Sequence, residues 1–379
     1  MDIDFVQHNQ TFQLLLHLWR KRQMKRTSFL LLYVFVFGIL FFTIAPAEAT
    51  VFNAGDYQYV LLPDGTAEIQ EYTGTDDILS IPYSLNGVKV SSIGNSAFYE
   101  CLSFTSVIIP NSITSIGNSA FGWCRNLTDV IIPESVTSIE DNAFYSCNLL
   151  SAITIPDNVS YIGKNPFCNC ESLSSITISP DHPVFAAIDH VLFKKTDKSL
   201  LCYPMGKDNL EYKIPQGIAV IKDSAFSNCS RLTAVTIPDS VTSIEVRAFS
   251  GCSNLKKIII PDSVTSIEKY TFRLCTSLTD ITIPNSIISI GDYAFDSCEN
   301  LISITIPDSV TTIGDYAFSN CSHLTEVTIP DSVTSIGINT FNKCGSLTLI
   351  VSRDSYAAQY CKNNQLNFLY TDSLDWLNQ

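Results

Sequence analysis

The sequence predicts a β-rich α/β solenoid: a coil of about ten 23-residue units with a parallel sheet along one side and a cap at each end. Three observations predict it. Prolines recur at a fixed interval: Pro110, Pro133 and Pro156 lie 23 residues apart, as do Pro215, Pro238, Pro261, Pro284, Pro307 and Pro330. Phenylalanines keep the same period, with Phe98, Phe121, Phe144 and Phe167 in one group and Phe226, Phe249, Phe272, Phe295, Phe318 and Phe341 in another. A Cys follows each Phe by three residues and a Leu by six, with Phe104 in the Leu place of the first unit. A period of this length, sustained over ten units, is the signature of stacked supersecondary repeats.

One unit shows how the coil is built. In Leu324–Pro330, Val327 and Ile329 alternate with Glu326 and Thr328, the period of a half-buried strand. Pro330 ends the strand because it cannot donate to a ladder. Asp331 and Ser332 are turn residues. Val333-Thr334-Ser335-Ile336 alternates again and predicts a second short strand on another side. Gly337 is expected to allow a sharp corner. Asn339-Thr340-Phe341, with Cys344 and Leu347, predicts a helical turn that points Phe, Cys and Leu inward. No unit has enough apolar area to fold alone, so the units must stack and share one core. Strands of successive coils are then about 4.8 Å apart.

The pattern AFxxCxxLxxVxIPxSVxSIG resembles the BspA-type leucine-rich repeat of bacterial surface proteins, over nearly all of residues 51–370. The resemblance implies a right-handed leucine-rich-repeat coil. It also implies an N-terminal cap over residues 50–90, with a hairpin over 57–72 turning at Asp64-Gly65. Four repeats fill 91–179 and six fill 216–350. Residues 355–363 followed by 366–370 resemble the family's helix-and-strand cap, within a C-terminal cap and tail over 351–379. Caps are required because an open coil end exposes apolar core and strand edges.

The period fails once, over residues 180–215. Ser179 is an extra residue before Pro180, and the stretch from Ile188 to Tyr203 alternates as two apolar strands around a Lys195–Lys198 turn. This predicts a wider, hairpin-bearing coil that joins the two blocks, and a bend there.

The N-terminus predicts export. Arg20, Lys21, Arg22, Lys25 and Arg26 precede an apolar run from Phe29 to Ile44, and Ala45-Pro46-Ala47-Glu48-Ala49 carries an A-x-A pattern. Residues 1–49 therefore read as a secretory signal peptide, with Met24 as the expected start and Thr50 as the expected mature end. The apolar run is shorter than the roughly 20 residues of a membrane span. An uncleaved N-terminal anchor is the alternative, and the one way the chain would touch a membrane.

The remaining chemistry is sparse. A formal charge of −14 excludes nucleic acid as a partner, since phosphate neutralisation needs clustered Lys and Arg. Ten of the 13 Cys occupy one repeat position, where a thiol packs as a small apolar group; stacked side chains point the same way, which is poor disulfide geometry. His182 and His190 share the irregular coil with Asp181 and Asp189, either as a metal site or, as we expect, as loop residues. Asn111, Glu134, Asp157, Asp239, Asp262, Asn285, Asp308 and Asp331 form a column that suits Ca²⁺ or, as we expect, solvated turns. Catalytic spacings are missing, so no enzyme, cofactor or metal is expected.

What remains is the sheet face. One outward column is expected to run Ser106, Asp129, Ala152, Ser175, Ala234, Lys257, Asp280, Ser303, Glu326, Leu349. The other is expected to run Ile108, Ile131, Thr154, Thr177, Thr236, Ile259, Thr282, Thr305, Thr328, Val351. Twelve of these are the candidate contact residues: Ile108, Asp129, Ile131, Thr154, Thr236, Lys257, Ile259, Asp280, Thr282, Thr305, Glu326 and Thr328. Extended faces are what solenoids use for binding. The expectation is a monomer, secreted or at the cell surface, that binds a protein or other macromolecule. A passive envelope spacer and a glycan-binding module are the alternatives; the glycan module is disfavoured because this face lacks aromatic platforms.

Overall fold

The computed structural model describes residues 50–372. The expected signal peptide and the last seven residues lie outside them. The chain forms a coil of about 13 turns. Thirteen strands line one side, ten of them from the repeats and three from Ile78–Ser80, Glu211–Lys213 and Phe368–Tyr370. Neighbours such as Asp129–Ile131 and Ser106–Ile108, or Lys257–Ile259 and Asp280–Thr282, pair in parallel with a 23-residue offset. A second side carries two-residue strands such as Ser138–Ile139 and Ser266–Ile267, paired the same way. The alternation seen in the sequence sets both sides: Val327, Ile329, Val333 and Ile336 are buried, while Glu326, Thr328 and Thr334 are exposed.

The third side departs from expectation, because it contains no helical turn. The residues two before and two after each Phe have positive φ, as at Tyr316 (54°) and Asn320 (59°), or Asn339 (52°) and Lys343 (59°). Alternating hands aim every second N–H group along the solenoid axis, while those between bond back within the coil, as Ser319 does to Tyr316. Tyr316, Phe318 and Asn320 donate to the carbonyls of Ile338, Thr340 and Asn342 in the next coil, at 3.0, 2.9 and 2.8 Å. A left-handed residue that is not Gly costs about 1–2 kcal/mol. The ladder offsets that cost by pairing backbone groups that would otherwise be buried unsatisfied.

The Phe rings behind these turns stack face to face. Centroids are 5.0 Å apart for Phe98 and Phe121, 5.4 Å for Phe272 and Phe295, and 5.2 Å for Phe295 and Phe318. Eight of the ten Cys beside them donate their thiols to the carbonyl of the preceding coil's Phe, at 3.1 Å from Cys298 to Phe272 and 3.2 Å from Cys321 to Phe295. Gly337 has no left-handed φ, so the corner is not its reason. An added Cβ would collide with the backbone of Gly314 and Asp315, so what it supplies is close approach between coils.

The irregular coil is a partition. It contains three antiparallel strands, Phe185–Ile188, Val191–Lys194 and Ser199–Cys202, not two. The turn missed by sequence is Asp189-His190, whose φ values of 51° and 62° make a tight hairpin of the primed kind. The buried apolar residues fall into two clusters that meet here. Leu192 and Cys202 pack with the N-terminal block; Val191, Phe193 and Leu200 pack with the C-terminal block. Because strand side chains alternate in direction, one strand serves both cores. Tyr203 takes the Phe place in this coil and stacks on Phe226 at 5.2 Å.

Both ends are closed. Val51–Ala54, Tyr57–Leu61 and Ala67–Tyr72 form an antiparallel sheet with Gly65 at φ 80° in the expected turn, and Val88–Ile93 then joins Ala67–Tyr72 in parallel across residue 90. At the other end the helix α1, Tyr356–Asn363, is capped by Ser355, whose hydroxyl accepts from the Ala358 N–H. It buries Ala357, Ala358 and Cys361. Phe368–Tyr370 then pairs with Thr348–Val351 as the last strand.

Candidate binding face

Most recurrent polar residues are consumed by the stack. Thr128 and Thr137 donate their hydroxyls to the carbonyls of Thr105 and Thr114 one coil back. Ser135, Ser240, Ser286 and Ser309, in the turns after the Pro, do the same to Ile113, Ile218, Val264 and Ile287. These residues recur because each coil must be hydrogen-bonded to its neighbour.

The sheet face is different. All twelve candidate residues are exposed there. Ile108 and Ile131 are register partners, 50% and 64% exposed, and Ile78, the register partner of Ser106 on the neighbouring strand, is 61% exposed. Lys257 pairs in register with Asp280, and Ile259, 61% exposed, with Thr282. Few side-chain bonds tie the face down; Thr154 and Thr177 share one at 2.7 Å.

Two expected positions are corrected. Leu349 and Val351 are buried, and Thr348 and Ile350 take the outward places beside Glu326 and Thr328. The last repeat is one residue short, and a one-residue slip turns every side chain of a strand over. The face also includes Ile78 and Ser80 before the repeats, and Glu211 and Lys213 after the partition. The sequence signal for these was only a β-period without the Phe and Cys markers. The Asp189-His190 turn divides the face: the His190 carbonyl accepts from Ile176 N–H, and its Nδ1 lies 2.9 Å from the Ser175 hydroxyl. Lys207, buried, locks this turn by donating to the Asp189 carbonyl at 2.8 Å.

The other candidates for chemistry have structural partners. His182 is buried; its Nδ1 accepts from the N–H groups of Val184 and Phe185, and its Nε2 faces the Pro156 carbonyl. That arrangement fixes the tautomer with the proton on Nε2 and leaves no nitrogen for a metal. The column after the prolines is exposed throughout, and no group of three acidic, His or Cys side chains converges among the described residues. Burial pushes the thiols up, to about 11 at Cys101 and Cys344 and about 12 at Cys252. Thiols so shifted are poor nucleophiles.

Thirteen turns of stacked coil, an inner Phe ladder and one flat parallel face define a leucine-rich-repeat solenoid. The BspA type leucine rich repeat region model matches in six copies, over residues 91–202, 202–301 and 288–366, and the chain belongs to that family. A leucine rich cell surface protein from Faecalibacterium prausnitzii is similar, with 30% identity and a TM-score of 0.55, over 78% of this chain and 98% of that one. The pneumococcal vaccine antigen PcpA is 18% identical with a TM-score of 0.63, over 85% and 98% of the two chains, and shares the fold. So does a leucine-rich repeat protein from Eubacterium ventriosum, 23% identical with a TM-score of 0.58, over 78% and 95%. Among curated proteins no match is found. No helix of the described residues is long and apolar enough to cross a membrane.

Proposed function

We propose that this is a secreted or surface-held, non-catalytic binding protein whose sheet face takes a macromolecular partner, a protein foremost. One observation carries the reading. The recurrent polar groups elsewhere are spent on bonds between coils, while the sheet-face groups are exposed and mostly unspent. A face of short side chains on a rigid ladder loses little side-chain entropy on docking. The adjacent Ile108 and Ile131, with Ile78 close by, supply an apolar patch bordered by Ser80, Ser106 and Asp129, the arrangement of an interface hot spot. A cell-surface relative is consistent with display outside the cell.

The test is binding of the exported chain to a panel of extracellular matrix and cell-surface proteins, with Ile131→Glu as the face variant. Binding that Ile131→Glu abolishes while the melting temperature holds supports the reading. Retained surface display without binding to any of the panel favours the spacer reading instead.

A further inference from the structure

The aromatic residues missing from the sheet face are on the turn side. Tyr270, Tyr293 and Tyr316 occupy the place two before the Phe in three successive coils, stacked at 5.1 and 4.8 Å with near-parallel rings. The same place holds Ser or Asn in six of the other coils, as at Asn142 and Asn339. In the coil before Tyr270 it holds Arg247, whose guanidinium lies over the Tyr270 ring at 4.6 Å. Arg247 is exposed and makes no ion pair. Arg273 rises from the next coil. Its Nε donates to Asp296 at 3.0 Å, and Asp296 also accepts from Asn320, so that carboxylate is satisfied and its charge offset. Arg247, Ser250, Tyr270, Arg273 and Tyr293 line an open pocket of about 340 Å³.

This is a local positive site on a chain of net charge −14. Beyond about 8 Å at physiological ionic strength the surrounding charge is screened, so the local guanidinium decides which ion approaches. Arg247 is held flat by its ring and presents a fork of donors suited to a planar or tetrahedral oxyanion. Arg273 keeps its terminal nitrogens unspent, and Ser250 adds a hydroxyl beside them. Arginine clusters also take acidic or phosphorylated peptides; what favours a polyol here is the hydroxyl carried by three of the five lining side chains, Ser250, Tyr270 and Tyr293. A row of hydroxyl-bearing side chains beside an oxyanion fork suits a polyol that carries acid groups.

We propose that this pocket binds an acidic saccharide, a sugar chain bearing sulfate or carboxylate groups, with Arg247 as the principal anion contact and Arg273 in support. The site is on a different side of the coil from the sheet face and does not depend on the role assigned there.

The test is calorimetric titration of the full chain with a heparin-derived hexasaccharide, oligogalacturonate, maltohexaose, inorganic sulfate and a phosphotyrosine peptide. Arg247→Asn is the variant of choice, since Asn already occupies the equivalent left-handed position at Asn142, Asn165 and Asn339. The expected result is binding of one or both acidic oligosaccharides, at least tenfold weaker in Arg247→Asn and weaker again at raised salt, with Ile131→Glu unchanged. The sulfated and uronate arms tell which acid group is read. Equal binding of maltohexaose, of sulfate alone or of the phosphopeptide overturns the proposal. So does the absence of binding, or binding that a folded Arg247→Asn variant leaves intact.

Discussion

The two blocks of coils have interchangeable interiors and different exteriors. On either side of the partition the Phe ladder keeps nearly one spacing, 5.3 Å from Phe121 to Phe144 and 5.2 Å from Phe295 to Phe318. The thiol-to-carbonyl bonds are also the same, 3.1 Å from Cys147 to Phe121 and 3.1 Å from Cys298 to Phe272. Outside, both sheet faces mix apolar and charged residues, Ile78, Ile108, Ile131 and Asp129 in the N-terminal block and Ile259, Lys257, Asp280 and Glu326 in the C-terminal block, and the C-terminal block adds a Tyr row on its turn side. The inside is fixed by the need of each coil to match its neighbour. The outside is free to differ, and function can be written only there.

The largest test of this comparison is alkali. Burial raises the thiols of Cys101, Cys252, Cys275 and Cys298 above the ordinary value of 9.0, to about 11 at the half-buried Cys101 and about 12 at Cys252. The unfolded chain ionises first as pH rises, so stability is full below about pH 9 and falls from there until the folded thiols ionise. The C-terminal block, with six ladder thiols raised by burial against three, is expected to lose amide protection first in hydrogen exchange between pH 9 and 12. Uniform loss across both blocks would refute the division.

Phe295→Ala comes next. Removing a fully buried ring from the middle of a stack costs about 3–5 kcal/mol. Denaturant unfolding checks the size, and hydrogen exchange should place the loss in the C-terminal block, with the N-terminal block protected across the partition. Gly337→Ala is expected to cost about 1–3 kcal/mol by overpacking against Gly314 and Asp315, read as a lowered denaturation midpoint. Cys298→Ala should cost about 1 kcal/mol, because the Phe272 carbonyl keeps the Cys275 N–H as a partner. Smallest of all, Ile131→Thr on the N-terminal face should move stability by no more than about 0.5 kcal/mol. Thermal melts of that variant would detect a hidden structural role.

Much of this was legible from spacing. The Phe, Cys and Leu positions and the two strand sides follow from a 23-residue period and from β alternation, and both caps from the resemblance to the repeat family. The twelve candidate face residues emerged from the same alternation, and all are exposed. Three features were not legible. The turn side looked helical because Phe341, Cys344 and Leu347 are spaced as one helical stripe, but left-handed residues such as Tyr316 and Asn320 pair with the next coil instead. Leu349 and Val351 were placed outward because the loss of one residue in the last repeat carries no mark in the sequence. The Asp189-His190 turn was passed over because neither residue is the Gly that usually signals it.

By itself, then, the sequence determined that the chain is a coil, where each coil begins, and which residues of the regular repeats face inward, because a repeated apolar pattern has one way to bury itself. Tertiary structure alone decided what depends on the neighbouring coil. It turned the third side into a ladder rather than a helix, since alternate N–H groups there find their carbonyls across the stack. It made the irregular coil a partition between two cores, since both faces of one strand are covered. And it set Arg247 over Tyr270, a juxtaposition 23 residues apart in sequence that exists only because the coils are stacked.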